Sequence, residues 1–158
     1  MKIIRRIQVG ETDLYKLIRL MALKEAPYAF GSTYDSALKR SDESWREQVD
    51  RSALGSDRAT FIAFSNNIPI GVAALYRDEE NDDIGELLQV WVHPEFRGTT
   101  VIWDLLDEIF QWAAENNFRK VIAGVEQGNT RAIKFYAKYG FSEMGETSQG
   151  VVFVKEVI

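Results

Sequence analysis

The chain contains no cysteine and a single histidine among its 158 residues. Disulfides, thiolate metal sites and a cysteine nucleophile are therefore excluded, and a histidine metal cluster is not expected. Proline is scarce, at three residues. No apolar run approaches the length needed to span a bilayer. The opening MKIIRRIQV is basic, but neither a long apolar stretch nor a small-residue cleavage site follows it. The expectation is a cytoplasmic protein that does not engage a membrane. Basic excess is missing too: the formal net charge is -5, which argues against non-specific nucleic-acid binding.

What is present is ordinary for one globular domain. The hydrophobic fraction is 46% and the charged fraction 27%, and the length suits a single unit over residues 1–158. Lys2 to Val9 reads as a first strand. Thr12 and Asp13 carry an N-cap signal, and Leu14, Leu17, Ile18, Met21 and Ala22 follow at helical spacing until Pro27. Residues 27–40 show no sustained period. A second helix is expected after Ser41, through Trp45 and Val49 to about Leu54. Ala59–Phe64 and Ile68–Tyr76 read as strands joined by a tight turn at Asn66-Asn67. The acidic stretch Asp78–Asp83 reads as a solvated loop. Ile84–Val92 is apolar nearly throughout, as a central strand is. A helix over Val101–Ala114, a strand over Lys120–Val125 and a helix over Thr130–Tyr139 closed by Gly140 come next. Two strands, Phe141–Glu146 and Val151–Val157, complete the chain. Strand-helix-strand alternation in the second half implies a parallel pair inside an otherwise antiparallel sheet, hence a mixed α/β domain.

Two segments carry chemistry. In VWVHPEFRGTTVIWDLL (Val90 to Leu106) a strand runs through a short loop directly into a helix. A helix start offers free backbone N–H groups and a partial positive charge, which together bind phosphate. Arg97 adds a cation, and Gly98 permits close approach of the backbone. The same residues also suit a plain strand-to-helix turn. In NTRAIKFYAKYGF (Asn129 to Phe141) a helix carries Ala132, Ile133, Phe135 and Tyr136, which also fit a buried face.

In this order and at this separation, PEFRG with its helix, a strand, and then N-x-x-A-x-x-F-Y-x-x-x-G-F resemble the acetyl-CoA-binding core of the GNAT family of N-acetyltransferases. AFGSTYDSALKRSDESWRE looks like the loop and second helix of many bacterial members, so the resemblance covers nearly the whole chain. It implies a mostly antiparallel central sheet with one splayed parallel pair, flanked by four helices. It also implies an acetyltransferase that moves an acetyl group from acetyl-CoA to a primary amine on a small molecule, peptide or protein N-terminus, with no metal. The implied cosubstrate-binding residues are Val90, Val92, Arg97, Gly98, Thr99, Thr100, Val101, Ile102 and Asn129, where an Asn129 helix cap would look the same. Tyr136 occupies the general-acid position. Glu86 is the candidate base, with Glu126 a weaker one, and a carboxylate without a role is the alternative for Glu86. Phe30 and Tyr34 lie in the loop that covers the acceptor site in similar proteins. His93 reads as a surface residue at a strand end.

One departure stands out. Thr100 takes the place of the first signature glycine of the pyrophosphate loop, and Ile102 the place of its second small residue. β-Branching narrows the backbone there and crowds a phosphate. The donors are backbone N–H groups, which stay usable where side chains point away, and the Thr100 hydroxyl adds a donor. The alternative reading is a catalytically silent domain for ligand sensing or protein interaction. The acidic balance points weakly toward a cationic acceptor, and pairing into a homodimer is left open.

Overall fold

The computed structural model describes residues 1–27 and 32–158. Its strands are β1 (Lys2–Arg6), β2 (Arg58–Ser65), β3 (Ile68–Arg77), β4 (Ile84–Val92), β5 (Lys120–Glu126), β6 (Ser142–Thr147) and β7 (Gly150–Glu156). The helices are α1 (Thr12–Glu25), α2 (Tyr34–Leu38), α3 (Asp42–Ala53), α4 (Val101–Glu115) and α5 (Thr130–Tyr139). One seven-stranded sheet runs β1-β2-β3-β4-β5-β7-β6. Every neighbouring pair is antiparallel except β4 and β5.

Five α-helices are described where four were expected. The additional one, α2, lacks a periodic face because it is a single turn set up by local caps. The Thr33 hydroxyl accepts from the Ser36 backbone N–H at 3.0 Å, and the Ser36 side chain answers from the other direction. At α1 the start also differs. Glu11 is the N-cap and Thr12 is already helical, while the Glu11 carboxylate accepts from the Gln8 N–H at 2.8 Å. The buried face of α1 is Tyr15, Ile18, Arg19, Ala22 and Leu23, and Leu17 is 52% exposed. The helix is thus rotated away from the stripe its aliphatic residues suggest, and the Tyr15 hydroxyl on that face meets Gln48 and Gln89.

Alternation along the central strands divides the core between the two faces of the sheet. Ile62 and Val72 point to one face, where they meet α1 and α3 through Ile18, Trp45 and Val49. Phe61, Ala73 and Leu75 point to the other, against Leu105, Ile109 and Trp112 of α4. The turn between β2 and β3 has both Asn66 (φ 50°) and Asn67 (φ 68°) in the left-handed region, as a tight two-residue hairpin requires. Gly140 closes α5 with φ 119°.

Candidate functional site

The site begins with a defect in β4. Val72 lies opposite Trp91 and Ala74 opposite Leu88, so two residues of β4, Gln89 and Val90, face the single residue Ala73. Such a bulge bends its strand and turns backbone groups out of the ladder. Gln89 takes φ 58° to make it, and its side chain is held in place. Its Oε1 accepts from the Tyr15 hydroxyl at 2.5 Å, and its Nε2 donates to the Tyr76 hydroxyl at 3.4 Å. Gln48 donates to both phenols, at 2.8 and 3.0 Å.

The consequence appears on the other side of the strand. The parallel ladder joins Ile84–Leu87 to Lys120–Ala123 and stops there, whereas β5 stays paired with β7 as far as Glu126 and Gly150. A wedge opens between β4 and β5, and the backbone of Leu88 to Val92 faces it without a β5 partner among the described residues. The cleft so formed has a volume of about 1510 Å³. Val90 and Val92 line it, as do Glu86 and Glu126, both exposed.

At one end the cleft meets the start of α4. The His93 ring caps a short 3-10 turn, Nδ1 accepting from the Glu95 N–H at 3.1 Å, and packs edge-on against Trp91 and Phe96. Gly98 follows with φ 80° and open space where a Cβ would stand. Thr99 turns its hydroxyl back onto the Phe96 carbonyl. The Thr100 hydroxyl is engaged, donating to Asp104 at 3.1 Å and accepting from the Lys2 ammonium at 2.6 Å, while the residue still lines the cleft. Val101 is buried, and Ile102 packs against the α4-side core while still lining the cleft. The opening N–H groups of α4, which a helix leaves without intrahelical acceptors, thus stand at the cleft end beside Gly98.

Arg97 is placed differently from a cation simply projecting toward a ligand. It is ion-paired with Glu25, the last residue of α1, whose Oε1 also accepts from Trp91 Nε1 at 2.9 Å. The Arg97 hydrogen bond, chiefly, holds the Glu25 carboxyl below its usual range, and Arg131 adds attraction. Glu25 is a residue that sequence reasoning missed, and no local pattern marks it.

The opposite wall is α5. Asn129 caps this helix, its Oδ1 accepting from the Ala132 N–H at 3.3 Å, and it also lines the cleft. Arg131, Lys134 and Lys138 follow at helical spacing and line the same wall. Tyr136 is 7% exposed, borders the cleft, and packs its ring against Phe135, Phe141 and Phe153. Burial raises its phenol above the ordinary tyrosine value, so it stays protonated at neutral pH. Tyr34 lies at the start of α2, with the Lys24 ammonium 5.9 Å from its ring centroid, and is not among the cleft-lining residues. Phe30, the other residue expected over the acceptor site, lies outside the described residues.

Arg19, 7% exposed, also lines the cleft. No sequence motif pointed to it; an arginine interrupting the apolar face of α1 was the available signal. Among the described residues, no group of three or more His, Asp or Glu side chains is arranged to hold a metal ion. None of their helices is long and apolar enough to cross a membrane.

Comparison with known proteins agrees with this geometry. The model of the acetyltransferase (GNAT) family matches residues 19–141. An uncharacterized N-acetyltransferase of Mycobacterium tuberculosis is 34% identical over 88 residues, 56% of this chain and 55% of that protein. The chain thus spans about half the length of the curated relatives it matches. An acetyltransferase of the GNAT family from Streptococcus pneumoniae has the same fold, with a TM-score of 0.83 and 18% identity over 100% of both chains. The PaiA N-acetyltransferase of Thermoplasma acidophilum, solved in complex with coenzyme A, superimposes with a TM-score of 0.79 and 18% identity over 99% of each chain.

Proposed function

The chain belongs to the acetyltransferase (GNAT) family, matched over residues 19–141, and from that premise we propose that it transfers an acetyl group from acetyl-CoA to a primary amine by direct attack in a ternary complex. The observation that carries this reading is the wedge between β4 and β5, with a helix start at one end and the protonated phenol of Tyr136 on its wall.

The chemistry of the donor set suits such a cosubstrate. Backbone N–H groups at Gly98 and the first turn of α4 bind the pyrophosphate, and Asn129 keeps the opposing α5 start in position. Acetyl-CoA supplies the acyl group as a thioester. The free edge of β4 at Val90 and Val92 pairs with the extended pantetheine arm. An N–H of that edge polarises the thioester carbonyl, which as a preorganised donor contributes roughly 3 kcal/mol to lowering the barrier. Glu86 removes a proton from the acceptor ammonium through water. The amine nitrogen then bonds to the carbonyl carbon as the carbon–sulfur bond breaks, Tyr136 gives its proton to the departing sulfur, and the second proton released by the nitrogen restores the phenol, leaving an amide and the CoA thiol. Holding both reactants in one cleft supplies much of the rate.

The reading is tested by unfolding the protein with and without acetyl-CoA. Binding to the folded state stabilises it by about 2.7 kcal/mol at a hundredfold excess over Kd. Tyr136→Phe should keep that rise while slowing transfer roughly 10²-fold. No rise at millimolar acetyl-CoA would favour the silent-domain alternative, which rests on Thr100 and Ile102. Undiminished turnover in the variant would remove Tyr136 as the acid.

A further inference from the structure

We propose that the acceptor is a small amine carrying a carboxylate, held by the Arg19 guanidinium in the cleft. This deepens the transferase reading and rests on it.

Opposed residues in a sheet share a face, so the pairing of Glu86 with Tyr76 puts both on the α1 side. Tyr15 and Arg19 are one helical turn apart on the buried face of α1. The Tyr15 hydroxyl reaches Gln89, and Gln48 bridges Tyr15 to Tyr76. Arg19 and Gln89 both line the cleft that Glu86 borders. The part of the cleft lined by Arg19, Glu86 and Gln89 is therefore a polar chamber formed by α1 and the β4 bulge, with Gln89 anchored to Tyr15 and Tyr76.

The sign of the chamber follows from its residues. Burial lowers the Arg19 pKa, the Tyr15 and Tyr76 phenols oppose that, and Arg40 is close enough to act on it as a second cation. Even lowered, a guanidinium remains charged at neutral pH. It offers five N–H donors in a planar fork matched to a carboxylate, so it takes one up while keeping other contacts. Removal from water strengthens that pairing. Glu86 supplies the opposite sign on the same face of the sheet, suited to an ammonium. A cation in the chamber and a carboxylate near the thioester form a complementary pair of subsites for a zwitterion, with the amine toward the acyl group and the acid toward Arg19. The net charge of -5 suggested a cationic acceptor, but selection is made by the local field inside the cleft, where bulk charge is screened beyond a Debye length of about 10 Å at 0.1 M salt.

The test compares amines that differ only in the carboxylate: phenylalanine with phenethylamine, and 5-aminopentanoate with pentylamine. The readout is initial rates of CoA release from acetyl-CoA. In at least one pair the acid should be preferred by about tenfold or more in kcat/KM, a difference of about 1.4 kcal/mol. The ratio between pair members should collapse toward one in Arg19→Met, through KM, and recover partly in Arg19→Lys. Equal rates within both pairs, a preference for the plain amines, or a ratio unmoved by Arg19→Met would each overturn the proposal. Where no panel member is acetylated, ligand-observed NMR with the CoA-loaded protein decides. Binding of an acid that Arg19→Met abolishes supports the subsite, and no binding of either acid at millimolar concentration sinks it. Absence of any stabilisation by acetyl-CoA instead indicts the transferase reading itself, which separates the two failures.

Discussion

Gly150 sits where no side chain has room. A Cβ built there would fall 2.0 Å from the Val125 carbonyl oxygen, and its φ is 154°. The residue lines the cleft at the first rung where β7 pairs with β5, so the close approach sets the spacing of the cleft wall. Gly150→Ala must push the two strands apart, and a loss of more than about 2 kcal/mol is expected from a clash with backbone that cannot rotate away. Urea unfolding measures it. A loss below ~1 kcal/mol would show that the wall yields. Gly98 makes the contrast: with open space at its Cβ position, Gly98→Ala incurs only the left-handed strain of about 1 kcal/mol. At this scale the placement of Asn129, Tyr136 and Gly140 along one helix was legible, because they belong to a short contiguous pattern. Arg19 was not, since an arginine on an apolar stripe acquires meaning only from what packs opposite it.

Among the elements, α1 links the two ends of the site. Arg19 on its middle turn lines the cleft, and Glu25 at its end ties down Arg97 and Trp91. The Glu25 carboxyl is held below its ordinary value, so the tie adds stability above the usual glutamate range and loses it as pH falls through the lower folded value. Glu25→Gln should therefore lower the melting temperature at neutral pH, modestly because the pair is partly exposed. The gap to the parent should close as pH drops below about 4, the usual glutamate range. A gap independent of pH would show that the ion pair contributes nothing. The limits of β4 and α5 were readable to the residue, because a near-continuous apolar strand and a capped helix are local patterns. The bulge in β4 was hidden. Asn66 and Asn67 announce left-handed backbone, but Gln89 at φ 58° has no such signature. The hydrogen bonds from Tyr15 and toward Tyr76 hold it in that conformation.

Taken whole, the molecule carries two apolar clusters on opposite faces of one sheet. Trp45 and Trp91 lie in the α1–α3 cluster and Trp112 in the α4–α5 cluster. β2 and β3 contribute to both, so neither cluster can dissolve while the other keeps its strands. Thermal unfolding followed by tryptophan fluorescence and by far-UV circular dichroism should give coincident transitions, as a two-state domain does. Separate midpoints would show that one face melts first.

Local patterns along the chain specify the kinds of element and nearly all their order, the parallel pair, and the strand-loop-helix and Asn129–Phe141 segments, because periodicity, caps and turn residues act over a few neighbours. Long-range packing fixes that the β4–β5 ladder ends at Leu87 and Ala123, that Thr100 turns toward Lys2 and Asp104, and that Arg19 reaches the cleft. Each of these depends on groups far apart in the chain and brought together by packing, and no local pattern encodes which partner a side chain will meet.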